Sequence, residues 1–526
     1  MQNYPAKLKI VINSPQLDCW MANELEVKLI AEQRQVKSLL DFSFQDVVAV
    51  DPWVSSDLKN TYFDTENFKL RELKIGLRIR VDGDKLIQTV KASGRAIGGL
   101  HERNESETQL QQFAIDVDKV EDPYLKILLE EAIEEDGELD KVFTTNFTRH
   151  KTSLHFEDGT EIEIALDVGH IFYEDDSSPI SEVELELVKG NPAYLFTLSR
   201  QLISQQGFAI SNASKARRGY SLCSSLEPTH RRMSTLEMSQ GTEAEMAFEV
   251  ICYSGLKHWQ YYEQFLDSSL APEAILQMYR ALLYVQHVYQ IFGSLIPRHA
   301  TSDLRANWEY IAEFMSKIVD VARERNHLQQ MLDESLVTEK DIEQALAVNH
   351  GAMSQALIDF KQLKSSERYN LVMLGISEWL FFKQWRQFIT DSDLEKLKSP
   401  IIDFAKAQLE HTLRELKREV GPKIEMDIHD YLEQVPRLRK ALDLGLFFGG
   451  LFDSKKRQKY RQPWLDLLAG TRELSYFQYV ARCFKTYQIR NDEEIHQWID
   501  KRNESVKEAM EHTRKAMFKS RPYWLL

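Results

Sequence analysis

The 526-residue chain is poor in cysteine: Cys19, Cys223, Cys252 and Cys483 are its whole complement, and no two stand at Cys-x-x-Cys spacing. A zinc ribbon and a dense disulfide framework are both excluded, and thiols this sparse fit a reducing cytoplasm. Long apolar runs are also missing. Nothing approaches the roughly 20 apolar residues that span a bilayer, and the best candidate, residues 444–452, is short and broken by glycines. The chain has no surplus of positive charge either. Its 66 Lys and Arg stand against 81 Asp and Glu, a net charge of -15, which argues against a surface built for nucleic acid or anionic membrane. Any basic site must be local. Residues 1–20 lack the apolar stretch of a secretory signal, and we expect them to be an N-terminal extension ahead of a start at Met21.

The length predicts two or three domains. Over residues 21–220 apolar and charged residues alternate strictly in Glu24-Leu-Glu-Val-Lys28, Leu77-Arg-Ile-Arg-Val81, Glu161-Ile-Glu-Ile164 and Glu182-Val-Glu-Leu-Glu186, the period of strands with one buried face. Asp82-Gly83-Asp84, Gly98-Gly99 and Asp158-Gly159 supply hairpin turns. Residues 121–140 break the pattern and predict a helix outside a mostly antiparallel sheet. From about Glu243 onward apolar residues recur three and four apart, so the second half is helical. Residues 222–242, rich in Ser and Thr, are the expected linker. Most of the surplus negative charge falls before residue 241, leaving the helical half near neutral.

In a strand, residues two apart share a side, so Glu24, Glu26 and Lys28 project together, as do Arg78 with Arg80 and Glu182 with Glu184 and Glu186. Any one such strand reads equally as the solvated face of an ordinary sheet. Repeating acid-acid, base-base and acid-acid places like charges beside one another, which solubility alone does not require. If the sheet closes into a barrel, the charged faces meet in a lumen wide enough for side chains and one small ligand. Both signs in one tunnel suit a polyphosphate: Arg and Lys hold its oxygens, and clustered carboxylates hold the divalent cations that neutralise it.

Glu24-Leu-Glu-Val-Lys28 resembles the E-x-E-x-K signature of the CYTH, or triphosphate tunnel metalloenzyme, superfamily. Eight later segments resemble the rest of that pattern in order, among them Tyr62-Phe-Asp-Thr65, Leu77-Arg-Ile-Arg80, Arg103-Asn-Glu-Ser-Glu107, Ala165-Leu-Asp167 and Ser181-Glu-Val-Glu184. The resemblance implies an α+β chain whose N-terminal domain, residues 21–221, is an eight-stranded antiparallel tunnel that hydrolyses a triphosphate with Mg2+ or Mn2+. It further implies that Glu24, Glu26, Glu182 and Glu184 hold metal, with Glu186 and Asp167 as further candidates. Lys28, Arg78, Arg80, Lys91, Arg149 and Lys215 match the phosphate-facing cations, and Glu105 and Glu107 match further acidic tunnel positions. Glu24, Glu26, Lys28, Glu182 and Glu184 are the expected catalytic set. Arg103, Lys74 and Arg217 read as solvated charge or rim salt bridges.

The helical half, residues 243–526, resembles the CHAD domain through Ala274-Ile-Leu-Gln-Met278, Ala322-Arg-Glu-Arg-Asn326 and Pro436-Arg-Leu-Arg-Lys440. Where that pattern expects His and paired Arg, this chain has Leu276, Tyr279, Leu283, Tyr284, Pro436, Asp443 and Leu444. Weak binding of long-chain polyphosphate by this half is the expectation, and residues 379–388 are expected to form an aromatic core helix. The function expected is inorganic triphosphatase activity in the cytoplasm. Thiamine triphosphate, an RNA 5′ end, ATP cyclised as by an adenylyl cyclase, or a catalytically idle polyphosphate scaffold are the competing readings.

Overall fold

The computed structural model describes residues 24–223, 230–489 and 492–525. The expected extension, Met21, Cys19 and part of the expected linker lie outside the described residues. Two compact units result. One contains the described residues up to His230 together with residues 362–382; the other contains residues 231–361 and 383–526.

The first unit is built on ten strands: β1 (Glu24–Ile30), β2 (Ala49–Val50), β3 (Val54–Asp64), β4 (Ile75–Asp82), β5 (Lys85–Ile97), β6 (Leu100–Leu110), β7 (Asp140–His155), β8 (Glu161–Tyr173), β9 (Asp176–Lys189) and β10 (Ala209–Ile210). Eight of them pair in the order β1-β6-β5-β4-β3-β7-β8-β9, and β9 returns to β1. The antiparallel sheet that the alternation predicts is thus closed into the eight-stranded barrel that the family resemblance implies, with β2 and β10 as short additions on β7 and β1. Closure is in register: Glu26 faces Glu186, Lys28 faces Glu184 and Ile30 faces Glu182 across the seam.

Because alternate residues line the two faces, filling the lumen with charge forces the apolar set outward. Helices then cover it. Leu70, Leu77, Ile79 and Val90 pack with Leu125, Leu128 and Leu129 of the helix Pro123–Asp136, the helix expected over residues 121–140. Its start is fixed by Asp122, whose carboxylate accepts from the Tyr124 and Leu125 amides at 2.8 and 3.0 Å, with Pro123 in the first turn. Val27 and Leu29 of β1 are buried beneath the helix Ala193–Gln206.

The helix Glu367–Phe381 also belongs to this unit. Phe196 meets Phe381 and Phe382, Arg200 pairs with Glu378, and Gly98 approaches so closely that a Cβ there would fall 2.2 Å from the Met373 carbonyl oxygen. The expected aromatic helix over 379–388 is therefore not continuous. It ends at Phe381, Lys383 takes a positive φ of 50°, and a short 3-10 turn carries Trp385 into the core of the second unit. The remaining helices, including Ala244–Glu263, Ala271–Ile291, Ser302–Asp333 and Ser454–Tyr487, form that second unit around buried Trp259, Trp308 and Trp385. None of the described helices is long and apolar enough to cross a membrane.

Candidate functional site

The barrel lumen gathers every charged residue that the strand pattern placed on one face. At its centre Lys28 Nζ lies 3.1 Å from Glu182 and contacts Glu184. Lys215, at the start of the helix Lys215–Cys223, reaches Asp167 and Glu182 at 2.6 Å and Glu184 at 3.1 Å. Arg149 forks onto Asp167 at 2.6 and 2.7 Å and adds Glu184 at 2.7 Å. Three carboxylates are thereby matched by three cations. Burial would raise the Glu184 and Asp167 carboxyls, yet Lys215, Lys28 and Arg149 hold Glu184 well below the usual carboxylate range, and Arg149 with Lys215 lowers Asp167.

That helix fills one end of the interior. Tyr220 donates to the buried carboxylate of Asp64 at 2.7 Å, and Phe143 stacks on Tyr62 at 4.5 Å and meets Tyr220 edge-on at 5.3 Å. Leu58, Phe147, Ile171 and Ile180 complete an apolar floor, with the Lys215 ammonium 5.1 Å from the Phe147 ring.

The other lumen groups are not balanced. Lys91 bridges Glu24 at 2.6 Å and Glu105 at 2.9 Å, while Glu26 and Glu186 share the same stretch of wall. Burial pushes the Glu24 carboxyl up against the pull of Lys91, and burial together with the Glu24 charge raises Glu186 to about 7. Glu26 is held down to about 2 because Lys28 and Arg103 outweigh its burial. Glu24 Oε2 and Glu26 Oε1 are nevertheless buried without a hydrogen-bond partner. Across the lumen the imbalance has the opposite sign. Burial and the neighbouring Arg78 and Arg149 push Arg80 down to about 10, and Arg78 Nε is buried with no acceptor. Tyr62, hydrogen-bonded to the Arg78 side chain, Glu107, 3.9 Å from Arg78 and held by Thr89 at 3.0 Å, and Asn60, 3.1 Å from Arg80, are polar neighbours of Arg78 and Arg80.

Two unmet carboxylate oxygens beside a raised carboxyl are the donor set of a hard divalent cation, and three crowded guanidiniums with an unmet N–H are that of a phosphate. Asp167, Glu182 and Glu184 offer ligand atoms within 4.8 Å of one another, the tightest acidic trio among the described residues. Lys28, Lys215 and Arg149 hydrogen-bond to that trio, whereas Glu24 Oε2 and Glu26 Oε1, despite the charges of Lys91 and Arg103 nearby, make no hydrogen bond.

Every tunnel residue expected from the sequence faces this lumen. Two more do as well. Arg103, expected at the rim, sits with Nη1 3.3 Å from Glu26. His101 behind it is buried, accepts from Arg103 and donates to the Ser211 carbonyl at 3.1 Å. His101 and Arg103 fall on the same alternation as Glu105 and Glu107, and what that spacing does not report is their contact with each other and with Glu26.

In the helical unit, overall neutrality conceals a local concentration. Burial and the charges of Arg280, Arg323 and Arg472 push Arg439 down to about 10, and burial with Arg232 and Arg280 lowers Arg472. Asp443 is buried between them, paired with Arg280 and 2.7 Å from His287. In the family pattern Asp443 stands only where a cation is missing.

A closed antiparallel barrel with an ion-lined, one-ended lumen, followed by a helical domain, defines the class. Residues 22–220 match the CYTH domain and residues 251–474 match the CHAD domain, so the chain carries both, in that order. It is similar to the inorganic triphosphatase of Haemophilus influenzae, with 35% identity over 165 residues, 31% of this chain and 46% of that protein. The matched stretch therefore spans less than half of that relative. Among solved structures, similarity extends to a Hippeastrum protein described as a candidate adenylyl cyclase with a dominant triphosphatase activity (18% identity, 39% of this chain and 100% of that one, TM-score 0.28). It also extends to the CHAD domain from the plant Ricinus communis (14% identity, 56% and 99%, TM-score 0.43).

Proposed function

We propose that the barrel hydrolyses inorganic triphosphate to diphosphate and phosphate with Mg2+ or Mn2+, in a reducing cytoplasmic setting that suits the free Cys223, Cys252 and Cys483. The observation that carries this reading is a pair of opposite demands in one lumen: buried carboxylate oxygens of Glu24 and Glu26 that make no hydrogen bond, and an Arg78 Nε that makes none either. A metal-bound polyphosphate satisfies both at once. The similarity to an inorganic triphosphatase over part of the chain supports the same substrate class.

In this reading Glu24 and Glu26, with Glu186 beside them, would hold the cation, and the chemistry it would supply there is neutralisation of phosphate oxygens and orientation of water. Arg78, Arg80 and Arg149 cradle the phosphoryl oxygens, and Arg supplies planar forks that water cannot replace. Lys28 and Lys215 hold Glu182, Glu184 and Asp167 close together, and stand ready to meet charge that gathers on the departing diphosphate. Lys91, Glu105 and Glu107 set the electrostatics of the wall. The oxygen of water bonds to a terminal phosphorus as the bridging P–O bond breaks.

Phosphate release from tripolyphosphate, thiamine triphosphate and ATP, each with Mg2+, with Mn2+ and with chelator, tests this. We expect metal-dependent release that is fastest with tripolyphosphate. Faster release from another substrate moves the assignment within the tunnel class, and no release from any leaves a catalytically idle polyphosphate scaffold.

A further inference from the structure

The helix Glu367–Phe381 lies within the stretch matched to the CHAD domain, yet it packs on the barrel unit. Its buried Asn370 has a full set of partners. The side-chain amide donates to the carbonyls of Lys364 and Ser366 at 2.9 and 2.8 Å, and its oxygen accepts the Ile210 backbone amide at 2.8 Å. Ile210 belongs to β10, the two-residue strand that pairs with Leu29 and Ile30 at the end of β1.

From there the contacts run into the tunnel without a gap. The next residue, Ser211, donates its amide to the Lys28 carbonyl at 2.9 Å, and its own carbonyl accepts from His101 Nε2 at 3.1 Å. His101 Nδ1 accepts from Arg103, whose other terminal nitrogen lies 3.3 Å from Glu26. These roles are forced: a carbonyl can only accept and a guanidinium can only donate, so His101 is the neutral imidazole with its proton on Nε2. Burial and the adjacent Arg103 charge hold the ring down to about 3, so it stays in that form throughout the neutral range. The Lys28 amide is bracketed from the opposite side by the Gly99 carbonyl at 2.9 Å, next to the Gly98 turn that abuts Met373 of the same helix.

We propose that Asn370 and His101 are positioning residues for the tunnel: Asn370 fixes Ile210 and Ser211, Ser211 fixes the His101 ring, and His101 aims Arg103 at Glu26. Through this relay a segment of the helical half sets the geometry of the cation-holding wall. The inference rests on the proposed metal-dependent hydrolysis for its kinetic readout, and on imidazole chemistry for a second readout that does not need catalysis.

In the full-length chain, His101→Phe and Asn370→Ala should each raise the half-saturating Mn2+ concentration for tripolyphosphate hydrolysis about tenfold or more, the scale of one lost charge-assisted hydrogen bond, while kcat changes little. His101→Asn, which keeps an acceptor near the Nδ1 position, should recover most of that loss. In an Arg103→Ala background both substitutions should become nearly silent, because the residue they act through is gone. Equal effects with and without Arg103, or wild-type Mn2+ dependence in folded His101→Phe and Asn370→Ala proteins, overturn the relay. The 15N imidazole spectrum of His101 should show the Nε2–H tautomer and shift in Asn370→Ala, and an unmoved resonance breaks the link between Asn370 and His101. If the wild type releases no phosphate, the functional reading fails alone, since Mn2+ binding to the same variants and the imidazole spectrum still decide the relay.

Discussion

At the scale of single residues, the lumen separates groups that are mutually satisfied from groups that wait for a ligand. Replacing Glu24 and Glu26 together by Gln keeps the size and removes the charge that holds a cation. We expect metal-dependent phosphate release to fall by at least about a hundredfold while the barrel stays folded, with a lowered thermal midpoint because Lys91, Lys28 and Arg103 lose buried charge partners. Activity near wild type in the folded double variant would remove them from the cation site. Asp443 in the helical unit behaves oppositely, being fully paired. Burial would raise its carboxyl, but Arg280 and His287 outweigh burial and hold it below the usual range. A depressed folded value stabilises the protein above the unfolded pKa of about 3.9 and loses that stability as pH falls through the folded value. Asp443→Asn should therefore destabilise the helical unit by about 3–5 kcal/mol at neutral pH and flatten the decline of its unfolding midpoint below about pH 4. Alternation alone made Glu24, Glu26, Lys28, Arg78 and Arg80 legible in the sequence, since period two reports which face a side chain takes. The same signal puts Arg103 on the face of Glu105 and Glu107 but not its contact with Glu26, which comes from the distant strand β1. Asn370 was invisible, because its partner Ile210 is 160 residues away.

At the scale of elements, hairpin turns and helix caps were readable because their chemistry is local. The helix over residues 121–140 was expected and is found at Pro123–Asp136, with its Asp122 cap and Pro123. What local chemistry did not reveal is that the helix Lys215–Cys223 enters the barrel. The sequence marked Lys215 as a phosphate-facing cation, and the structure shows the whole helix seated on the apolar floor that carries it. Gly219 makes the seating possible, as a Cβ there would fall 2.1 Å from the Phe143 ring. Gly219→Val should cost about 1–3 kcal/mol of stability and lift Lys215 from Asp167, Glu182 and Glu184. Its signature is a lowered thermal midpoint together with reduced turnover, and a wild-type midpoint would show that Phe143 can turn aside.

At the scale of the whole chain, a division into barrel and bundle was legible from the change of period, whereas the membership of residues 362–382 in the barrel unit was not. A fragment ending near residue 225 would uncover Phe196 and leave the Ile210 amide without Asn370. We expect that fragment to aggregate more readily than the full chain and to retain only a minor part of its triphosphatase activity; full activity in a soluble fragment would show that the barrel holds its own geometry. For the helical unit, near neutrality predicts weak binding of long-chain polyphosphate, confined to the cluster around Arg439. The slope of log affinity against log salt should not exceed about 3, and Arg439→Ala with Arg472→Ala should abolish what binding there is. A tight, steeply salt-dependent titration would instead reveal a longer cationic track. The closing seam between β1 and β9 also bears on how the barrel comes to exist. Its partners lie at opposite ends of the domain in sequence, Glu26 against Glu186, so during synthesis the first strand must wait until the last has been made. Until then the acidic strands repel one another, and Lys28 and Lys215, which neutralise Glu182 and Glu184, arrive from the two extremes. Ring closure of this kind is a late, long-range event with a high entropic barrier, so salt that screens the carboxylates should hasten refolding while weakening the finished ion pairs.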